Sequence, residues 1–173
     1  MTTEHIVDGD ERADLLDALA AHRGFLCQTV EGLTDEQARR RTTVSELCLG
    51  GLIKHVARAE GRWADFIVRG PQAIGPFTEA GLQAHAESFR MLEGETLSEL
   101  LDRYDQVARH TNELVTSLPS LDLSHPLPEA PWYEPGRRWS ARRAVLHIIG
   151  ETAQHAGHAD IIREALDGAK TMG

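Results

Sequence analysis

Three side chains in this sequence have the chemistry and the spacing to hold a metal ion. Glu151 and His155 stand four residues apart in the segment His147-Ile-Ile-Gly-Glu151-Thr-Ala-Gln-His155-Ala-Gly-His158-Ala-Asp160. On a helix that spacing is one turn, so a carboxylate and an imidazole reach toward one point. Ala144, Ile148, Ala159, Ile162 and Leu166 fall on the same side, which makes it the side that faces the core. A carboxylate buried there without compensation is expensive, or is driven to its neutral form. A divalent cation removes the difficulty by accepting both groups. A facing helix must add a further ligand, and His55 is the candidate, three residues after Leu52 and four before Ala59 in another apolar stretch. Two histidines and one carboxylate, with positions left for water or substrate, is a common way of holding catalytic zinc and related ions. Taken singly, His55 also reads as an ordinary core histidine, and Glu151 with His155 as a surface pair. The apolar side on which the pair lies favours the metal.

Other histidines extend the pattern. His147 and His158 lie four residues before and seven after Glu151, and either could replace one of the three. His158 reads better as a residue that orients a ligand or meets substrate, and His147 as lying at the edge of the face. His5, His22, His85, His110 and His125 have no matching partners and read as ordinary polar residues.

These groups need helices to position them. Leu15, Leu16, Leu19 and Leu26 recur at helical spacing and predict a helix over Asp10–Glu31. Thr34-Asp-Glu-Gln37 has the form of a capping box and predicts a short helix through Arg41. Thr43-Val-Ser-Glu46 has the same form and predicts the start of a long helix ending at Gly70-Pro71, with Gly50-Gly51 pressed closely on a neighbour. Residues 71–94 read as irregular, with a short helix over Glu79–Arg90. Thr96-Leu-Ser-Glu99 is a third box, opening a helix that stops before Pro119. Pro119–Arg138 is a long connection rich in proline, with some extended backbone. Ser140 is the predicted N-cap of the last helix, which runs to Leu166 and ends at Asp167-Gly168. Four long amphipathic helices make an all-α four-helix bundle, with residues 1–173 as a single domain.

Charge and composition exclude several functions. A formal net charge of −9 opposes nucleic-acid binding. No apolar run reaches membrane-spanning length. Two cysteines, Cys27 and Cys48, do not make a disulfide framework. The first residues lack a basic-then-apolar leader pattern, and the expected setting is reducing and cytoplasmic.

Around the candidate ligands the sequence resembles the DinB/YfiT-like superfamily of metalloenzymes, and within it the branch of mycothiol- and bacillithiol-linked S-transferases. The strongest parts are Leu52-Ile-Lys-His55-Val-Ala-Arg-Ala-Glu60-Gly-Arg-Trp63 and Trp139 through Glu164. The resemblance implies an up-down-down-up bundle with a long crossover, often a homodimer. It implies one divalent metal on His55, Glu151 and His155. Many members carry histidine where this chain has Glu151, which leaves zinc as the first expectation and nickel as the second. It also implies a low-molecular-weight thiol as cosubstrate and a small electrophile as substrate. Arg142 and His158 are the candidate catalytic residues, with Arg137 and Arg138 as further contacts for an anionic group. Trp132, Tyr133 and Trp139 would wall the pocket or anchor the loop that carries them. Asp160 and Arg163 read as supporting contacts. A metal-assisted hydrolase on the same ligands is the alternative enzyme, with His158, Asp160 or Glu60 as its base, although no protease spacing is present. A non-catalytic metal- or ligand-binding bundle, including a stress-response partner, is the third reading.

Overall fold

The leucines of the first predicted helix form α1 over Asp8–Gln28. The computed structural model describes residues 8–75 and 78–171. The reading of His5 and the two ends of the predicted 1–173 unit therefore lie outside the described residues. The short α2 spans Asp35–Arg39, with both halves of the Thr34 capping box formed. The long helices α3 (Leu49–Arg69), α5 (Leu97–Ser117) and α6 (Ala141–Asp167) follow, with α4 (Glu79–Ser88) between α3 and α5. The Thr96 box caps α5, and the Ser140 hydroxyl caps α6 by accepting from the Arg143 N–H. Gly168 ends α6 in the left-handed conformation, φ 81°, which glycine adopts without a Cβ penalty.

One predicted helix start is corrected. Thr43 does not open α3, which begins at Leu49 after Cys48. The Thr43 hydroxyl accepts from the Ser45 N–H and the Ser45 hydroxyl from the Leu47 N–H. Two successive local turns thus consume the donors that a helix would leave to its cap. The connection after α5 does hold extended backbone, a two-stranded antiparallel ribbon of β1 (Ser124–Pro126) and β2 (Arg138–Ser140), with His125 opposite Trp139. It delivers the chain directly into α6.

Side-chain pairs fix the helix directions. Arg142 near the start of α6 pairs with Glu11, and Arg163 near its end bonds the carbonyls of Thr29 and Glu31 just past α1, so α1 and α6 are parallel. His55 meets His155 and Trp63 meets His147, so α3 and α6 are antiparallel. Lys54 pairs with Glu95 just before α5, and Gly61 faces Val107, so α3 and α5 are parallel. The result is the up-down-down-up bundle. A parallel α3–α5 pair obliges the chain to travel back along the bundle, and residues 70–96, including a 3-10 turn at Gly70–Ala73 and α4, make that crossover.

The core has two apolar layers. Leu52, Ile53, Val56, Met91, Leu100, Ala159 and Ile162 fill one end; Leu19, Phe66, Val115, Trp139, Val145 and Ile148 fill the other. Between them lies a polar waist of Arg23, Glu60, Thr111 and Thr152, all buried. Arg23 donates to both Glu60 oxygens, at 3.1 and 2.5 Å, and to Asn112 Oδ1 at 2.9 Å. A buried charge is tolerable only when paired and hydrogen-bonded in this way. Glu60, a sequence candidate for a hydrolytic base, is thereby committed to structure.

Candidate metal centre and cavity

The apolar stripe of α6 turns inward as expected, with Ala144, Ile148, His155, Ala159 and Ile162 buried. Glu151 stays half-buried beside it. His55 is buried on the facing side of α3. One ligand atom from each of His55, Glu151 and His155 lies within 4.8 Å of the others. Glu151 Oε2 is 3.7 Å from His155 Nε2 and 4.0 Å from His55 Nε2. Donors held about 2.1 Å from one ion stand roughly 3–4 Å apart, so both separations suit a shared cation.

The crossover prepares His55 for that role. Its Nδ1 is 2.9 Å from the Ser88 hydroxyl, and that hydroxyl donates to the His85 carbonyl at 2.5 Å. Ser88 has one proton and has spent it, so it accepts the His55 Nδ1–H. The tautomer is set with the Nε2 lone pair toward Glu151 and His155. Phe89 stacks on the ring at 3.7 Å between centroids. Burial lowers the His55 pKa to about 4, assisted by the nearby His155 and His85, which keeps the imidazole neutral at pH 7. Glu151 is held below the ordinary carboxyl range, first by the His155 imidazole. Two imidazoles and one carboxylate are a donor set suited to a divalent ion.

His158 stands behind His155, with their Nδ1 atoms 3.4 Å apart, and does not line the cavity described below. His147 Nε2 is 3.8 Å from the other carboxylate oxygen of Glu151. Its ring packs against Trp63 and Trp139 at 4.8 and 5.1 Å, and burial lowers its pKa. Among the described residues neither histidine belongs to the converging set.

A cavity of about 760 Å³ opens beside this cluster. His55, Glu151 and His147 form one part of its wall, and His85, Arg58 and Arg62 another. Trp132 and Tyr133 also line it, whereas Trp139 is buried against Trp63, 4.7 Å between stacked rings, beneath the Arg143 guanidinium. The aromatic loop therefore does both of the things foreseen for it. Arg142 does not line the cavity. It is clamped between Glu11 and Asp122 and joins α6 to α1 and the loop after α5. Arg137 pairs with Glu134, and Arg138 bonds Ser124 at the ribbon. Asp160 accepts from the backbone and hydroxyl of Thr171 and does not line the cavity.

Sequence reading missed His85, Ser88, Arg58 and Arg62. His85 and Ser88 share one face of α4 at three-residue spacing, a weak signal in an otherwise largely exposed helix. The two arginines resemble solvated helix charges until the crossover is seen to bond them, Arg58 through the Ala84 carbonyl and Arg62 through that of Ile74.

The sequence pattern of the mycothiol-S-transferase family matches residues 14–168, most of the chain. The chain belongs to the mycothiol S-transferase family. Among solved structures, this family member is similar to one described as the conserved protein of locus from Enterococcus faecalis. The TM-score is 0.66 at 13% identity, covering 90% of this chain and 96% of that one. At that identity the likeness shows the shared helical fold. No curated protein matches this mycothiol S-transferase family chain.

Proposed function

We propose that this protein is a metal-dependent S-transferase that joins a low-molecular-weight thiol of the mycothiol type to a small electrophile. The observation that carries this reading is the convergence of His55, Glu151 and His155 at the wall of a cavity large enough for a small-molecule substrate. These three residues would hold one divalent ion, zinc before nickel. When bound, that ion would lower the pKa of a thiol placed on it and favour the thiolate.

The chain's own groups do the rest. Ser88 fixes the His55 tautomer, and His158 steadies His155 from behind. His147 and His85, on the cavity wall and with pKa values lowered by partial desolvation, are placed to accept the thiol proton. The sulfur then forms a bond to the electrophilic carbon, and the leaving group departs with its electron pair. Trp132 and Tyr133 line the cavity in which these groups would meet. Residues 1–173 acting as one cytoplasmic unit, paired as a homodimer, complete the proposal. Among the described residues no helix is long and apolar enough to cross a membrane.

The test is metal analysis of the purified protein and of His155→Ala, followed by turnover of mycothiol with 1-chloro-2,4-dinitrobenzene. Stoichiometric metal in the wild type, its loss in the variant, and release of chloride only by the metal-loaded protein are expected. Bound metal without conjugation to any cellular thiol would refute the transferase reading and leave the metal site.

A further inference from the structure

Arg58 and Arg62 stand one helical turn apart on α3, and both line the cavity that reaches His55 and Glu151. Neither has a carboxylate partner among the described residues. Each gives one N–H to a carbonyl of the crossover, Arg58 to Ala84 at 2.5 Å and Arg62 to Ile74 at 2.9 Å. A guanidinium carries five donors in a rigid planar fork, so most of each fork remains for a ligand.

The arrangement is costly as it stands. Arg62 is half-buried, and burial together with the charge of Arg58 pulls its pKa below the ordinary range. In a chain of net charge −9, acids are plentiful, and Arg23, Arg142 and Arg163 all have them. The acids on the cavity wall are Glu151, which belongs to the histidine cluster, and Glu129, which is exposed. Neither forms an ion pair with Arg58 or Arg62. Two adjacent guanidinium groups on a cavity wall, Arg62 half-buried and Arg58 exposed, without a carboxylate partner among the described residues, match the planar bidentate recognition of a carboxylate.

We propose that the cavity takes a carboxylate-bearing reactant, its anionic group docked on Arg58 and Arg62 and its uncharged body against Trp63, Trp132 and Tyr133. The proposal rests on the thiol-transfer reading for the reaction, but the docking itself needs no turnover. The carboxylate can belong to the electrophile or, where the thiol is of the bacillithiol kind rather than mycothiol, whose cysteine carboxyl is tied up as an amide, to the thiol, and the two sources are separable.

The test is calorimetry on the full chain with two matched pairs: 4-methylbenzoate against its methyl ester, and N-acetylcysteine against its amide. The acid of at least one pair is expected to bind tenfold or more tightly than its neutral partner. Preference within the benzoate pair assigns the carboxylate to the electrophile, and preference within the cysteine pair alone assigns it to the thiol. The Arg58→Met/Arg62→Met protein should lose the preference while binding the neutral compounds as before, and Arg62→Lys should keep part of it. Equal binding within both pairs, or a preference that survives the double substitution, overturns the proposal. Should the double variant fail to fold, the wild-type comparison decides. Retained acid preference in a protein that conjugates no thiol would remove the transferase reading alone.

Discussion

The Ser88 hydroxyl accepts the Nδ1–H of His55 at 2.9 Å because its own proton is committed to the His85 carbonyl. One short helix of the crossover therefore sets which imidazole nitrogen faces Glu151. Groups that orient a metal-ligating histidine in this way typically carry 10–100-fold in metal affinity. Ser88→Ala is expected to weaken metal binding by about that factor while the helical circular dichroism stays unchanged. Competition against a chromophoric chelator measures it.

Gly51 lies under the crossover, where a Cβ would collide with the backbone carbonyl of Phe89. Backbone cannot rotate aside as a flexible side chain can. Gly51→Ala should therefore cost about 2–3 kcal/mol, within the range for overpacking a filled site, despite alanine's better helix propensity. It should also weaken metal binding, since Phe89 stacks on His55. Denaturant unfolding and the chelator assay together check both outcomes.

Breaking the polar waist should be more damaging to stability than any substitution at His55, Glu151 or His155. Glu60→Leu leaves Arg23 buried without its counter-charge, and the expected loss is about 3–5 kcal/mol. Double substitution with Arg23→Met should recover much of it. Chemical denaturation of the single and double variants is the measurement, and a double variant as unstable as the first would contradict the account.

Acid should destabilise the metal-free protein over a defined window. His55 has a folded pKa of about 4, below its unfolded value of about 6.5. The unfolded chain thus binds the proton first. The stability associated with neutral His55 is complete above pH 6.5 and is lost as pH falls toward 4. The loss amounts to about 2–3 kcal/mol. Urea midpoints of chelator-treated protein between pH 7 and 4 report it, and His55→Asn should flatten the slope in that interval.

Most of the helices, and the approach of Glu151 to His155, were legible in the sequence because both depend on local spacing. Glu151 and His155 need only a turn of helix and an apolar side to announce themselves, and Thr34 and Thr96 cap helices as their boxes predict. Thr43-Val-Ser-Glu46 shows the limit of such patterns. The same hydroxyls can close tight turns, and α3 then starts only at Leu49, after Cys48 and without a side-chain cap. Ser88, His85, Arg58 and Arg62 were not legible, because their roles depend on where a weakly patterned crossover lands. Arg142 was misleading for the opposite reason. Its position beside the conspicuous stripe suggested substrate contact, but Glu11, distant in sequence, had already claimed it.

The parallel course of α3 and α5 separates what bears weight from what chooses. Four long helices hold the His55, Glu151 and His155 cluster on a rigid frame, while the crossover from α3 to α5, obliged only to cover the distance home, supplies much of the chamber wall. Lengthening or rewriting that wall would alter which molecules are admitted without disturbing the frame beneath, so one scaffold can serve many substrates.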